Sequence, residues 1–141
     1  MTTAEATAPD RVGSTISTIA RLPKRRDFLR IAAAKRRCAQ PGLVLQTAPV
    51  PKDTSIAPGT IRVGLTATRK IGGAVIRNRA RRRLRAAVRD IMTDRAKNGL
   101  DYVLIARAGT AERDYRALQK DLVAALDRCD ALAQKEDNTR P

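Results

Sequence analysis

The fold is decided by residues 62 to 91, which read RVGLTATRKIGGAVIRNRARRRLRAAVRDI. In the first part, Val63, Leu65 and Ala67 alternate with polar or small residues, and this period of two predicts a half-buried strand over 62–68. After a glycine turn at 71–73, apolar residues recur at helical spacing and predict a helix over 74–96. The apolar stripe of this helix consists of Ile76, Ala80, Leu84, Ala87, Val88 and Ile91.

The segments on either side contain further helices and strands. Before the central stretch, the pattern predicts a helix over 24–36, a strand over 43–47 and a proline-containing loop over 49–60. After it, a continuous apolar run predicts a buried strand over 101–107, and a last amphipathic helix begins near residue 114. Helices and strands thus alternate irregularly, as in an α+β protein.

The domain organisation follows from these elements. We expect a single domain over 21–133, preceded by a flexible tail at 1–20 and followed by a polar tail at 134–141. The predicted order is helix, three strands, helix, strand, helix. One four-stranded sheet with helices packed on it accounts for this order, which gives an α/β sandwich like that of some ribosomal proteins.

Composition excludes several kinds of site. The 141 residues contain no His and only two Cys, so neither a His-based catalytic site nor a four-ligand zinc site is available. No segment has the length and apolarity of a membrane span or of a secretory signal. We therefore expect a cytoplasmic protein with two reduced thiols, in which Cys129 is a core residue.

Basic residues are concentrated in two segments. Residues 21–37 and 69–89 carry 17 of the 29 basic residues but only one of the 14 acidic residues, Asp27. Concentrated arginine suits a polyphosphate, because binding releases counterions and the planar guanidinium chelates phosphate oxygens. A solvated helix face usually mixes both signs of charge, and binding to an anionic membrane would need the apolar faces that the core uses. The pattern favours RNA or DNA as the partner.

The predicted long helix repeats like charges at helical spacing. Arg77, Arg81 and Arg85 follow one another at intervals of four, which destabilises an isolated helix and is relieved by a bound polyanion. The glycine pair before the helix also leaves backbone N–H groups free at its N-terminus, where phosphate binds readily.

The same residues resemble the signature of the bacterial ribonuclease P protein component. That family shows a strand of the form R-x-G-x-S-x-S-K-K, a glycine turn and then A-V-x-R-N-R-x-K-R. This chain has RVGLTATRK at 62–70 and AVIRNRARR at 74–82. RLPKRRDF at 21–28 and DYVLIAR at 101–107 are similar to flanking motifs of the family. The resemblance covers about residues 21–130.

The resemblance implies a protein without catalytic residues of its own. In the family, a large RNA cleaves the 5′ leader from precursor tRNA with Mg²⁺ ions held mainly by RNA, and the protein binds this RNA and the leader. The implied partners are ribonuclease P RNA and precursor tRNA, with no membrane and no second protein required. The resemblance also implies an unusual left-handed βαβ crossover, although such connections are generally right-handed.

Two sets of contact residues are implied. The first would bind the catalytic RNA and consists of Arg69, Lys70, Arg77, Asn78, Arg79, Arg81, Arg82 and Arg85. The second would line a leader cleft between the first helix and the sheet, and consists of Phe28, Arg30, Gln46, Arg62, Thr66 and Thr68. No protein residue is expected to be catalytic or to bind a metal.

The chain departs from the family pattern at three positions. Gly73 replaces a frequent Asn in the turn, and Ala32 and Gln46 stand where aromatic residues are common. At most one aromatic residue, Phe28, is then left to stack on a leader base.

Two other functions would also account for a basic chain of this kind. The first is that of a ribosomal or other structural RNA-binding protein without a processing role, and the second is that of a self-sufficient nuclease. The nuclease would need clustered carboxylates.

Overall fold

The predicted strand, turn and helix lie at the centre of the protein in a computed structural model that describes residues 18–129 and Ala131. The strands are β1 (Thr18–Arg21), β2 (Arg36–Gln40), β3 (Leu43–Pro49), β4 (Thr60–Thr66) and β5 (Leu100–Ala106). The helices are α1 (Arg25–Ala33), α2 (Ala74–Ala87) and α3 (Tyr115–Arg128). The single α+β domain is confirmed, and no helix of the described residues is long and apolar enough to cross a membrane.

All five strands form one sheet in the order β1-β4-β5-β3-β2. Strands β1, β4 and β5 are parallel, whereas β3 is antiparallel to both of its neighbours. The prediction of four strands is wrong by one, because Thr18–Arg21 pairs with β4 at the edge of the sheet. Residues 18–20 therefore belong to the sheet and not to an N-terminal tail. Residues 1–17 and the predicted C-terminal tail at 134–141 lie outside the described residues.

The first helix is shorter than predicted. It ends at Ala33, and Lys35 adopts a positive φ of 60°, which turns the chain out of the helix. Arg36 then begins β2, which pairs in antiparallel register with β3. The run of alanines before Lys35 favours a longer helix, but pairing with β3 provides the backbone of 36–40 with strand hydrogen bonds.

The long helix begins and ends close to its predicted limits. It starts at Ala74, continues beyond Ala87 as a wider π-helical segment over Val88–Met92, and finishes with a turn over Thr93–Arg95. It connects the parallel neighbours β4 and β5, so the predicted βαβ unit is present. The left-handed sense of the crossover stays a prediction.

The main core lies between one face of the sheet and helices α2 and α3. Leu84 of α2 and Leu122 of α3 are fully buried against inward-facing residues of the strands, such as Leu45 and Leu104. The opposite face of the sheet carries α1 and a smaller apolar cluster around Ile31 and Val103. The two faces are thus unequal: one is sealed by two long helices, and the other is covered in part by α1.

Candidate nucleic-acid interface

Helix α2 separates core residues from cations. Ala80, Leu84 and Ala87 are buried, while Asn78, Arg79, Arg82 and Arg85 are exposed. The predicted phase of the helix is therefore confirmed. This separation follows from the sequence, since the apolar and basic residues occupy different sides of a 3.6-residue period.

The cations between residues 69 and 85 lack acidic partners within the described residues. No ion pair involves any of the residues Arg69, Lys70, Arg77, Arg79, Arg81, Arg82 and Arg85. Arg81 donates one hydrogen bond to Asn78 Oδ1 at 3.2 Å, and the Nε atom of Arg77 is buried without a hydrogen-bond partner. We call the seven cations from Arg69 to Arg85 named above, together with Asn78, the arginine ridge. Its unpaired positive charge is available to an anionic ligand.

The N-terminus of α2 faces outwards beside the ridge. Gly73 is the N-cap, no side chain caps the helix, and its first turn contains no acidic residue. Val75, in that first turn, is among the most exposed of the large apolar side chains. Free N–H groups and the positive end of the helix dipole therefore add to the attraction for phosphate.

One arginine of α2 is structural. Arg83 donates hydrogen bonds to the carbonyl oxygens of Ala111 (2.8 Å) and Arg113. It thereby fastens α2 to the loop between β5 and α3. The sequence places Arg83 in the same basic run as its neighbours, and only the position of that loop distinguishes it.

Of the six predicted leader residues, Phe28, Gln46 and Thr66 lie on the opposite face of the sheet, and Thr68 follows the end of β4. The register places Gln46 of β3, Val103 of β5 and Gly64 of β4 in one row across the sheet. The Phe28 ring of α1 lies directly on Gly64, where a Cβ atom would stand 2.5 Å from two ring carbons. Gln46 is buried, Thr66 is half-buried one row further along, and Thr68 is exposed beyond the strand. Only glycine at position 64 allows Phe28 to approach so closely.

The other two predicted leader residues, Arg30 and Arg62, are held by a buried carboxylate. Asp101 has no exposed side-chain surface and accepts hydrogen bonds from Arg62 Nε (2.9 Å), Arg62 Nη2 (2.7 Å) and Arg30 Nη2 (2.6 Å). Asp27 completes this buried network at 3.4 Å from Arg30 and 3.9 Å from Arg62. Arg30 also donates to the carbonyl oxygen of Pro49. The network therefore ties α1 to the sheet.

The network leaves little of either guanidinium for a ligand. The side chain of Arg62 is 11 % exposed and that of Arg30 is 30 % exposed. The hydrogen bond to Asp101 raises the pKa of Arg62 above its usual value, against the opposing effect of burial. Sequence reasoning missed this pairing because Arg62 and Asp101 are 39 residues apart and face each other only through the register of β4 and β5.

A cavity of about 530 Å³ is lined by members of both predicted sets: Phe28 of the leader set, and Arg81 and Arg85 of the RNA-binding set. It lies beside β4 where β1 ends, and its apolar lining includes Phe28, Leu65 and Val88. Arg81, Arg85 and Arg89, spaced four residues apart on one side of the α2 segment, also line it. Arg21, at the end of β1, is a fourth arginine in the lining, so the cavity combines one aromatic residue with four arginines.

The described residues contain no group of three or more His, Cys, Asp or Glu side chains arranged to hold a metal ion. The carboxylates that are buried, such as Asp101 and Asp121, are bound to arginines. The site offers cations, amide and hydroxyl groups and one ring.

The fold and the arginine ridge together define a class: a small α+β protein that presents an unpaired cationic helix beside an open sheet face. A family model described as Ribonuclease P matches residues 16–130. The chain therefore belongs to the ribonuclease P protein family.

Individual relatives agree with this assignment. The ribonuclease P protein component of Paramagnetospirillum magneticum is 53 % identical over 112 residues, which cover 79 % of this chain and 84 % of the relative. That of Gluconacetobacter diazotrophicus is 48 % identical over 106 residues, covering 75 % and 87 %.

Solved structures show the same fold. The ribonuclease P protein of Staphylococcus aureus superposes with a TM-score of 0.64 at 24 % identity, covering 80 % of this chain and 97 % of that one. The Thermotoga maritima protein, solved in complex with 1-(4-fluorophenyl)-2-thiourea, gives 0.59 at 26 % identity, covering 73 % and 94 %.

Proposed function

We propose that this chain is the protein subunit of a ribonuclease P holoenzyme and assists endonucleolytic removal of the 5′ leader from precursor tRNA. The observation that carries the proposal is the arginine ridge, whose positive charges have no acidic partners among the described residues of a chain from this family. Its spacing along α2 suits phosphates of the catalytic RNA. The place of action is then the cytoplasm.

In this proposal the protein binds and positions, while the RNA catalyses. Mg²⁺ ions held mainly by RNA supply the chemistry of bond cleavage. The residues of the chain neutralise phosphate charge along α2 and hold the leader on the face of the sheet beneath α1. No second protein is required.

One assay tests the proposal. Precursor tRNA is incubated with the purified protein, with the ribonuclease P RNA at low Mg²⁺ concentration, and with both together. We expect stimulated cleavage only in the mixture. RNA binding without stimulation would favour a structural RNA-binding protein, and cleavage by protein free of contaminating nuclease would indicate a nuclease.

The first prediction concerns the arginine ridge. Replacing both Arg79 and Arg82 with Ala should lower affinity for the catalytic RNA by about a hundredfold or more, because charge-assisted hydrogen bonds contribute ~1.5–3 kcal/mol each and two are lost. The slope of log affinity against log salt concentration should decrease by ~0.7–0.9 per lost phosphate contact. A filter-binding salt series measures both quantities.

The control is Arg116→Ala, which removes an exposed arginine from a different helix, α3, that is not part of the ridge. It should leave both RNA affinity and salt slope unchanged. An Arg79→Ala/Arg82→Ala protein that binds the RNA as tightly as the wild type would contradict the assignment of the ridge.

The second prediction concerns leader binding. Phe28→Leu keeps apolar bulk on Gly64 but removes the ring, and base–aromatic stacking contributes ~1–3 kcal/mol. The preference of the holoenzyme for precursor over mature tRNA should therefore decrease by about fivefold or more. If a folded Phe28→Leu protein keeps the full preference, the ring only packs α1 on the sheet.

The electrostatic part of leader binding should depend on Arg69 and Lys70. Both are exposed, whereas Arg30 and Arg62 are held by Asp101. Because few aromatic residues line the groove, the preference for precursor tRNA should fall steeply with salt in the same measurement. A preference that does not change with salt would refute this electrostatic account.

A further inference from the structure

The two cysteines of the chain meet in the fold. The thiol of Cys129 donates a hydrogen bond to the sulfur of Cys38 at 3.0 Å, although the residues are 91 positions apart. Cys38 lies on β2, and Cys129 is the C-cap of α3. Both thiols are free. The contact joins an edge strand of the sheet to the end of the helix that covers it.

The geometry is close to that of a disulfide. A disulfide bond is about 2.05 Å long, so the sulfurs need to approach by about 1 Å. Among the described residues, strand β2 pairs only with β3 and is an edge strand of the sheet. A small displacement of this edge strand towards α3 therefore closes the gap without disturbing the centre of the sheet.

The surroundings assign different roles to the two thiols. Cys129 is 2 % exposed, and burial, together with the hydrogen bond to Cys38, raises its pKa to about 12. Cys38 is half-buried, and the positive charge of Arg36 opposes the rise in the pKa of Cys129. Cys38 is thus the sulfur that a dissolved oxidant reaches first. Cys129 is the buried, protonated thiol that then reacts with the oxidised Cys38.

We propose that Cys38 and Cys129 form a reversible oxidation site, at which a hydroperoxide converts the two thiols into a disulfide that links β2 to the end of α3. With hydrogen peroxide, the deprotonated sulfur of Cys38 attacks one oxygen, an S–O bond forms, and the O–O bond breaks. The departing hydroxide takes up a proton and leaves as water, and Cys38 is now a sulfenic acid.

The second step forms the disulfide. The sulfur of Cys129 attacks the sulfur of the sulfenic acid, the S–S bond forms, and the S–O bond breaks. The oxygen leaves as a second water with the proton of Cys129. In total, the two thiols lose two electrons and two protons, and the peroxide is reduced to two waters. A dithiol reductant reverses the reaction by thiol–disulfide exchange.

The bond would affect the basic surface next to it. Arg36 and Arg37 precede Cys38 on β2, and both are exposed. A disulfide to α3 fixes the strand that presents them. It also closes a loop of about 90 residues, which restricts the unfolded chain and so raises the melting temperature.

The full-length folded protein, treated with hydrogen peroxide, tests the proposal. We expect the intact mass to fall by two hydrogen atoms, both thiols to resist alkylation, and proteolysis to yield one peptide pair joining Cys38 to Cys129. Dithiothreitol should reverse all three changes. Formation of the bond should be at least tenfold slower when the chain is unfolded in guanidinium chloride, since only the fold brings the sulfurs together.

Single variants separate the roles of the thiols. Cys129→Ala, which keeps an apolar side chain in the core, should accumulate a sulfenic acid on Cys38 that a cyclic diketone reagent traps. Cys38→Ala should not react at the same peroxide concentration. Disulfides formed only between chains, equal rates in folded and unfolded protein, or sulfinic acid as the first stable product of the wild type would overturn the proposal.

Discussion

Asp101→Ala is expected to destabilise the protein by about 3–5 kcal/mol, the usual cost of removing one partner from a buried ion pair. The carboxylate is fully buried and receives hydrogen bonds from both Arg30 and Arg62. Without it, the acidic partner that Arg62 keeps among residues 18–129 is the more distant Asp27, at 3.9 Å. Because single domains are stable by about 5–15 kcal/mol, the loss is a large fraction of the total. Urea denaturation followed by circular dichroism measures it.

The control removes a carboxylate that has no such role. Asp127 on α3 is exposed, and Asp127→Ala should change the free energy of unfolding by no more than about 0.5 kcal/mol. A second variant, Asp101→Leu with Arg62→Met, removes both central charges and should recover part of the stability, since apolar replacements of a buried pair are often tolerated. If Asp101→Ala and Asp127→Ala unfold at the same urea concentration, the network does not stabilise the fold.

The same network holds α1 on the sheet. Arg30 connects α1 to Asp101 on β5 and to the carbonyl oxygen of Pro49 on β3. Phe28, on the same helix, is thereby kept against Gly64. Arg30 and Arg62, which the sequence suggests as leader contacts, are thus both hydrogen-bonded to Asp101 in the structure, and their contact with the leader stays a prediction.

The parts of the fold that sequence predicts are those governed by local patterns. The α2 stripe and the start of α3 at its N-cap Asp114 depend on residues within a few positions of one another, and both are confirmed. Strand β1 has no such pattern, since its four residues become a strand only by pairing with β4. The sequence does not predict strand β2 for the same reason. Its residues follow a helix-favouring run, and they form a strand because they pair with β3.

The candidate site divides in the same way. The arginine ridge is predictable, because exposed and buried positions on one helix follow from its period. The structural role of Arg83 and the pairing of Arg62 with Asp101 depend on which distant segments the sheet brings together. The contact of Cys38 with Cys129 spans 91 residues and leaves no local signal at all. Charge alone therefore indicates which surface is basic but not which arginines are free.

Leu84→Ala and Arg85→Ala, at adjacent positions of α2, should separate stability from RNA binding. Leu84 is fully buried in the main core, so its truncation should cost ~2–5 kcal/mol through lost burial and the cavity left behind. Arg85 is exposed and has no ion pair within the described residues, so its truncation should cost at most about 0.5 kcal/mol. Thermal denaturation of both variants against the wild type measures these effects.

For RNA affinity, the larger loss is expected in Arg85→Ala and the smaller in Leu84→Ala. Below its melting temperature, the folded fraction of Leu84→Ala keeps the arginine ridge and should bind the catalytic RNA as the wild type does. Arg85→Ala should bind more weakly and with a shallower salt dependence, because one phosphate contact is lost. Equal melting temperatures for the two variants would mean that the phase of α2 is wrong. Equal RNA affinities, with the stability difference as expected, would remove Arg85 from the ridge but leave the fold intact. The two measurements therefore test the architecture of α2 and its proposed use independently, on residues that share one turn of helix.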